Sequence, residues 1–461
     1  MKRTTGLKTA AVLGVAALAR AAGGGSDSSE STEASAAASE APASEMASDE
    51  AMATEEAAAS TGTPLYLVDG NTGNALGEKL PAGTLNGVKG TIPGAENTQD
   101  FKDALLEVDP NLVDFAYAPE SYDAVILTAL AAAKAGSDAG VDMAKEMVPI
   151  TNGTEVCNDY AGCIELLQQG KDIDYNGRSG AVNFWDAGDP TSASIGVYTF
   201  GPDNTLLPDV TYQQGEIVPE GEANPITGKP QDGAGDGVFK VGTFLPITGN
   251  LAFLGPPEVA GVKLAIKDIE AAGGIPGFDK VVLEEGDSGD TSTETGKQTV
   301  KRLLPLGIDV LVGAASSGSS LQVLDEVTSA GVLMISPANT SPELTTAPDK
   351  GLYWRTAPSD VLQGAFVGSM ILQDGYTKVA IMSLQDSYGD GLNANVTKAV
   401  TEGGGEVVAN VVYDPTAADF AADVAKVKAA GPEAIVLIGF DESAQIIQEM
   451  VKQGIGPNAA S

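Results

Sequence analysis

"FKVGTFLPITG", residues 239–249, reads as a short apolar strand closed by a Thr/Gly turn, the first member of an alternating series that decides the fold. The stretch "PPEVAGVKLAIKDIEAAGG", 256–274, has apolar residues at helical spacing and ends in glycines. "DKVVLEEGDSG", 279–289, returns as a strand, and the alternation continues. A helix falls at 294–307, a strand in "IDVLVGAASS" at 308–317, a helix at 321–331 and a strand in "VLMISPANTS" at 332–341. Strands apolar along their whole length are covered on both faces, so this run predicts a parallel sheet with helices on each side.

After "YWRTAPSD", 353–360, the rhythm restarts with four helices and three strands and makes a second doubly wound lobe. It stops at "GIGPNAAS", 454–461, where the pattern calls for another strand. An orphan strand, "PLYLVDG", stands at 64–70. A short strand in "GVKGTIPGA" at 87–95, an apolar helix at 120–136 and closing strands within 180–200 come after it. Residues 217–237, rich in Pro, Gly and Glu, read as a linker. Joining residue 461 to residue 63 restores one continuous pattern, with the linker bridging the displaced ends. Circular permutation is tolerated where ends lie close and breaks fall in exposed loops; a fusion of fragments from neighbouring copies gives the same order of pieces.

Composition narrows the function. The chain has 461 residues, more than one ordinary core requires, and 26 Lys+Arg against 63 Asp+Glu give a net charge of -37. Such a charge repels phosphate backbones and anionic lipid, so no nucleic-acid partner is expected. The absence of histidine removes Ser-His-Asp and Cys-His nucleophile systems and every His-ligated metal site. "GDTSTETGK", 289–297, lacks the spacing of a P-loop, and no G-x-G-x-x-G or nucleophile elbow stands at a strand-to-helix turn. No enzyme activity, cofactor or metal is expected. Cys157 and Cys163, the only cysteines, have five residues between them, which suits a small disulfide-closed loop in an oxidising compartment; two free thiols are the alternative.

Lys2, Arg3 and Lys8 precede an apolar run at 9–19, so residues 1–23 resemble an export signal. Residues 24–62, dominated by Ser, Ala and Glu without an aromatic side chain, read as a disordered tether. Signal and tether together resemble those of bacterial lipoproteins, but a lipobox needs a cysteine and "LARAAGGGS" at 18–26 has none, which argues against lipid anchoring. An extracytoplasmic location, periplasmic or at the cell surface, is expected.

The segments "LPITGNLAFLG" (245–255), "AIKDIEAAGGIPG" (265–277), "SAGVLMISPANTSPELT" (329–345), "YWRTAPSD" and "DSYGDGL" (386–392) carry a family resemblance. From residue 239 to 461, continued by 63 to about 216, the chain resembles the type I periplasmic binding proteins, nearest the leucine/isoleucine/valine-binding proteins of branched-chain amino acid ABC transporters. The resemblance implies a Venus-flytrap of two α/β lobes, circularly permuted here. One lobe comprises 94–194 plus 238–358 and the other 63–93 plus 195–216 plus 359–461. It implies capture of an amino acid, branched-chain and aliphatic, by hinge closure, and delivery by a monomer to a transporter permease. A sensor of the same fold for an amide, urea or another metabolite is the alternative.

In open α/β sheets ligands sit beyond the C-terminal ends of strands, and "VLVGAASSGSSLQV", 310–323, puts a Gly/Ser turn there ahead of a helix whose free amides suit a carboxylate. The family resemblance assigns Ser317 to the ligand's α-carboxylate and Ala338 and Thr340 to the same head group. It assigns Asp69 to the α-ammonium, and Tyr388 and Phe440 to covering the ligand. Leu254 stands where many relatives carry an aromatic residue, leaving an apolar wall for aliphatic side chains. Each has a structural alternative: a turn cap for Asp69, a plain connection for Ser317, core packing for the two rings.

Overall fold

The computed structural model describes residues 62–218 and 221–458. The signal-like segment and, but for residue 62, the tether lie outside the described residues. Among the described residues no single helix is long and apolar enough to cross a membrane.

Two sheets organise the described chain. A five-stranded sheet runs, in spatial order, Tyr353–Arg355, Leu333–Ser336, Val310–Gly313, Val238–Phe244 and Lys280–Glu284, all parallel. Its inner strands are buried on both faces, with neighbouring residues sent to opposite cores, while the edge strand Lys280–Glu284 is only partly covered. Val310, Val312, Leu333 and Ile335 join one hydrophobic cluster, while Leu311 and Met334 join another. That two-sided cover is what the uniformly apolar strand sequences call for.

The seven-stranded sheet is gathered from both ends of the chain. Its order is Glu406–Tyr413, Lys378–Leu384, Ala434–Ile438, Leu65–Leu67, Lys89–Pro93, Ser192–Thr199 and Thr211–Glu216. The first five are mutually parallel, and Ser192–Thr199 runs antiparallel to both of its neighbours, Lys89–Pro93 and Thr211–Glu216. Leu65–Leu67 lies beside Ala434–Ile438, pairing Leu65 with Ile435 and Leu67 with Leu437, so residues from opposite ends of the described chain make one core.

Six helices position the site: α1 (Ala118–Ala135), α2 (Gly255–Ala271), α3 (Ser317–Ser329), α4 (Asp360–Gln373), α5 (Ser387–Glu402) and α6 (Ser443–Gln453). The helix α1 is buried over most of its length and packs on α2. A small third sheet, Glu155–Cys157 with Ile173–Gly177 and Gly180–Ala181, is tied to the following helix by a Cys157–Cys163 disulfide, S–S 2.02 Å.

Residues 221–237 form no helix or strand, yet they are strapped down. Asn224 Nδ2 donates to the Ala347 carbonyl (2.7 Å), Thr227 N to Lys350 O (3.1 Å), and the buried Gln231 amide donates to Asp138 O and Asp309 Oδ1 while accepting from Gly140 N. Pro and Gly deny this stretch a repeating hydrogen-bond pattern, so side-chain amides satisfy the buried backbone instead.

Candidate ligand-binding site

Most of the sequence-derived site residues fall just past the C-terminal ends of parallel strands. Leu254 follows Val238–Phe244, Ser317 follows Val310–Gly313, Ala338 follows Leu333–Ser336, Asp69 follows Leu65–Leu67, Tyr388 follows Lys378–Leu384 and Phe440 follows Ala434–Ile438. All six line one cavity, together with Gly70, Tyr117, Leu251, Ala315 and Ser316. Thr340 is buried but does not line it; it stands behind the wall, where its backbone oxygen accepts the Asp360 N–H at 2.7 Å. A larger hollow lined by Lys89, Phe366 and Asp374 opens at the start of strand Lys89–Pro93, away from the strand ends where such sheets bind ligands.

On one side the cavity meets the N-terminus of α3. Ser316 caps it, its hydroxyl accepting from Ser319 N, while Ser317 Oγ accepts from Ser341 N at 3.2 Å and keeps its own proton to give. Asn339 donates to the Ala314 and Ala315 carbonyls and Ser336 to Ala314 O, which fixes the turn ahead of the helix. Two further helix starts reach the cavity through their capping residues, Tyr117 for α1 and Leu254 for α2, and Tyr388 lies in the first turn of α5. Converging helix N-termini present partial positive charge and unsatisfied amides, a setting that favours an anionic group.

The acids at those helix starts do not cancel that field. Burial pushes the Glu120 carboxyl, in the first turn of α1, up to about 8. Burial and then the nearby Glu120 raise Glu258, in the first turn of α2, well above the usual carboxylate range. Both are therefore largely neutral at pH 7.

The opposite side is anionic. Asp69 opens the 3₁₀ turn Asp69–Asn71, which is anchored by Asn71: its amide donates to Leu437 O and Ser443 Oγ, both at 3.0 Å, and its oxygen accepts Val68 N. The Asp69 carboxyl is buried and accepts one tyrosine hydroxyl on each oxygen, Tyr388 on Oδ1 and Tyr117 on Oδ2, both 2.7 Å. Burial raises its affinity for a proton, and the two tyrosines oppose that. Gly70 allows the turn to close: a Cβ there would come within 2.7 Å of Gly439 O and 3.0 Å of the Tyr388 hydroxyl. The Tyr388 and Phe440 rings are stacked, centroids 5.5 Å apart, and Leu251, Leu254, Ala315 and Ala338 complete an apolar wall.

Tyr117, Ser316, Leu251 and Gly70 belong to the cavity but not to the sequence expectations. For Tyr117 the sequence offers a faint sign, since it immediately precedes "APE", a proline-marked helix start, and its left-handed backbone (φ 59°) aims the ring into the cavity. No lysine or arginine lines this cavity, and among the described residues no group of three or more His, Cys, Asp or Glu could hold a metal ion.

Residues 238–460 match the family model described as periplasmic binding protein. The chain is 32% identical over 204 residues to Leu/Ile/Val-binding protein homolog 3 of Brucella melitensis, covering 43% of this chain and 54% of that protein. It is 29% identical over 218 residues to the leucine-, isoleucine-, valine-, threonine- and alanine-binding protein of Pseudomonas aeruginosa, covering 47% and 57%. The chain thus spans little more than half the length of the curated relatives it matches. Among solved structures, the Streptococcus pneumoniae branched-chain amino acid transporter substrate-binding protein LivJ with isoleucine matches at 28% identity and TM-score 0.41, over 47% of this chain and 62% of that one. A Rhodopseudomonas palustris solute-binding protein with p-hydroxybenzoic acid matches at 19% identity and TM-score 0.43, over 47% and 59%.

Proposed function

Because residues 238–460 belong to the periplasmic binding protein family, we propose that this chain is an extracytoplasmic substrate-binding protein that captures a free amino acid with an aliphatic side chain and delivers it to an ABC-transporter permease. The observation that carries this is the polarity of the cavity: a helix N-terminus with Ser316 and Ser317 on one side, the buried Asp69 on the other, and no basic side chain between them. A zwitterion matches both sides at once, its carboxylate at the amides and its ammonium at Asp69, in a site where charge-assisted contacts are stronger than at the surface. Leu251 and Leu254 favour an aliphatic side chain over a polar one. The curated relatives are named for leucine, isoleucine and valine binding, one of them as a homolog, which supports the same class.

A second hollow beside the cavity adds selection by charge. It shares Leu251, Ser316 and Phe440 with the cavity and is lined by Asp290 and Asp386, carboxylates that disfavour a ligand without a cationic group. We also read the order of segments as a circular permutation, since Leu65–Leu67 supplies the strand missing after α6.

Calorimetric titration with leucine, isoleucine and valine, with p-hydroxybenzoate as the anionic comparison, tests the function. Saturable heat with an amino acid and none with the benzoate is expected. Binding of the benzoate alone would overturn the zwitterion reading.

A further inference from the structure

The two walls of the cavity also touch each other on either side of it, through residues that do not line it. On one flank Asn74, past the strand Leu65–Leu67, meets Asp114, shortly ahead of α1. Asn74 N donates to Asp114 Oδ2 at 3.0 Å and Asn74 Nδ2 to Asp114 Oδ1 at 2.6 Å. Asn74 is steadied from its own side, its oxygen accepting Leu206 N at 2.8 Å, so both of its donors are aimed across the flank.

On the other flank Ser341 and Pro342, past the strand Leu333–Ser336, meet the first turns of α5. Ser341 Oγ donates to Ser387 O at 2.9 Å, and the Pro342 ring packs so closely on α5 that a Cβ at Gly391 would stand 2.6 Å from Pro342 Cδ. Glycine inside a helix costs stability relative to alanine, and here its bare Cα is what lets the ring approach. Each flank adjoins one end of the site. Ser341 N donates to Ser317 Oγ, and Asp114 leads into Tyr117, whose hydroxyl crosses the cavity to Asp69.

We propose that Asp114 and Gly391 are positioning residues that set the affinity from outside the cavity: the flank contacts part to admit the ligand and form again as the walls meet over it, bringing Ser317 and Asp69 to its two ends. Contacts made only when the walls meet add their free energy to binding, because apparent affinity scales with the fraction of molecules in the binding-competent arrangement. They contribute nothing to the choice among aliphatic side chains, since neither residue touches the ligand.

The inference rests on the amino-acid reading of the same site, and the test separates the two. Leucine, isoleucine and valine are titrated calorimetrically into the natural chain, Gly391→Ala and Asp114→Ala. Melting temperatures are taken without ligand, and hydrogen exchange at the Asn74 amide is followed with and without leucine. In Gly391→Ala the added methyl obstructs the Pro342 ring, so all three affinities fall together by about tenfold. Its melting temperature does not fall, because alanine is the better helix residue. In Asp114→Ala the three affinities also fall by one common factor, about tenfold for two lost hydrogen bonds. The Asn74 amide, whose acceptor lies across the flank, exchanges faster without leucine than with it.

A lowered melting temperature in Gly391→Ala with unchanged affinities makes the flank a fixed packing contact and overturns the proposal. An Asn74 amide equally protected with and without leucine overturns it as well, and so do losses that differ among the three amino acids. If no amino acid binds the natural chain, the amino-acid reading fails on its own account, and exchange at Asn74 without ligand still decides the flank. Exchange as fast as in an exposed loop supports walls that part, and exchange as slow as in the buried strands overturns it. Should one variant not fold, the other variant and the Asn74 amide decide.

Discussion

The two walls of the cavity differ in chemistry and in how the chain supplies them. One wall, with Leu254, Ser316, Ser317 and Ala338, hangs on a five-stranded sheet drawn from an unbroken run of residues 238–355. It is neutral and offers amides and hydroxyls. The other wall, with Asp69, Tyr388 and Phe440, hangs on a sheet assembled from strands at 65–216 and 378–438, and it is anionic and aromatic. A continuous run of βα units places a donor cradle without help from distant segments. A buried charge, by contrast, needs partners from several places: Tyr117 lies 48 residues from Asp69 and Tyr388 lies 319 away.

The change expected to do most damage separates the walls outright. Arg355 ends a strand of the five-stranded sheet, and Asp189 stands just before a strand of the other, so their buried bidentate pair ties the two together. Arg355→Ala strands the Asp189 carboxylate and leaves the Asn339 and Ser341 carbonyls without their donor, at an expected cost of about 3–5 kcal/mol in urea unfolding. A loss below about 1 kcal/mol would mean that the walls are joined by something else.

Next in size comes a substitution that strikes one wall's chemistry and spares its shape. Asp69→Asn keeps an oxygen for a tyrosine hydroxyl but removes the charge that faces the ammonium. Leucine affinity should fall by about 2–5 kcal/mol, and the melting temperature should move little because a buried acid has also been removed. Equal losses of binding and stability would make Asp69 a structural turn residue.

How far the site was legible follows the same division. "VLVGAASSGSSLQV" announces a strand end, a turn and a helix start in one short stretch, so Ser317 could be singled out from local pattern and resemblance together. Asp69 was reached only by resemblance, since "VDGN" on its own describes a turn, which it also is. For Tyr117 the sequence marks only a helix start, because its role depends on a left-handed backbone and on a carboxylate from another sheet. The Gly/Pro-rich 217–237 reads as a connection, and its described residues 221–237 form neither helix nor strand, but nothing in its composition discloses the buried anchor at Gln231.

Buried acids at strand and helix starts around the two walls should leave a pH signature. Glu120 is pushed up to about 8 from an ordinary 4.5, and Asp309 and Asp386 up to about 7 and about 6, burial being the first cause in each. A folded-state value above the unfolded one means stability fully present below about pH 4.5 and lost as pH climbs through the folded value. The melting temperature should therefore decline from about pH 5 to about pH 8, and Glu120→Gln should flatten the upper part of that decline. A melting temperature that rises over the same window would contradict the neutral state assigned to Glu120.

Ser317→Ala probes the neutral wall alone. The Ser341 amide loses its acceptor and the ligand's carboxylate one donor, while the remaining α3 amides stay, so leucine affinity should drop by only about 0.5–1.5 kcal/mol. A loss as large as that from Asp69→Asn would erase the asymmetry between the walls.

The smallest effect is expected from the change that looks most drastic on paper. Parallel neighbours in a sheet need a crossover between them, and α6, which comes after Ala434–Ile438, is placed to be the crossover into Leu65–Leu67. The Asn458 amide already bonds the carbonyls of Gly83, Thr84 and Asn86, so the end of the described chain sits on the segment beyond that strand. A chain rewritten to begin at residue 238, run to 461 and continue through a short Gly/Ser joint into 62–216 keeps both walls and every contact to Asp69, losing only those of the strap. Its leucine affinity should stay within about threefold of the original, because binding depends on which strands are neighbours and loop closure adds little per residue. Stability should fall modestly through the lost Gln231 anchor. A rewritten chain that folds cooperatively yet binds no leucine would show that the break near Asp69 belongs to the working of the anionic wall.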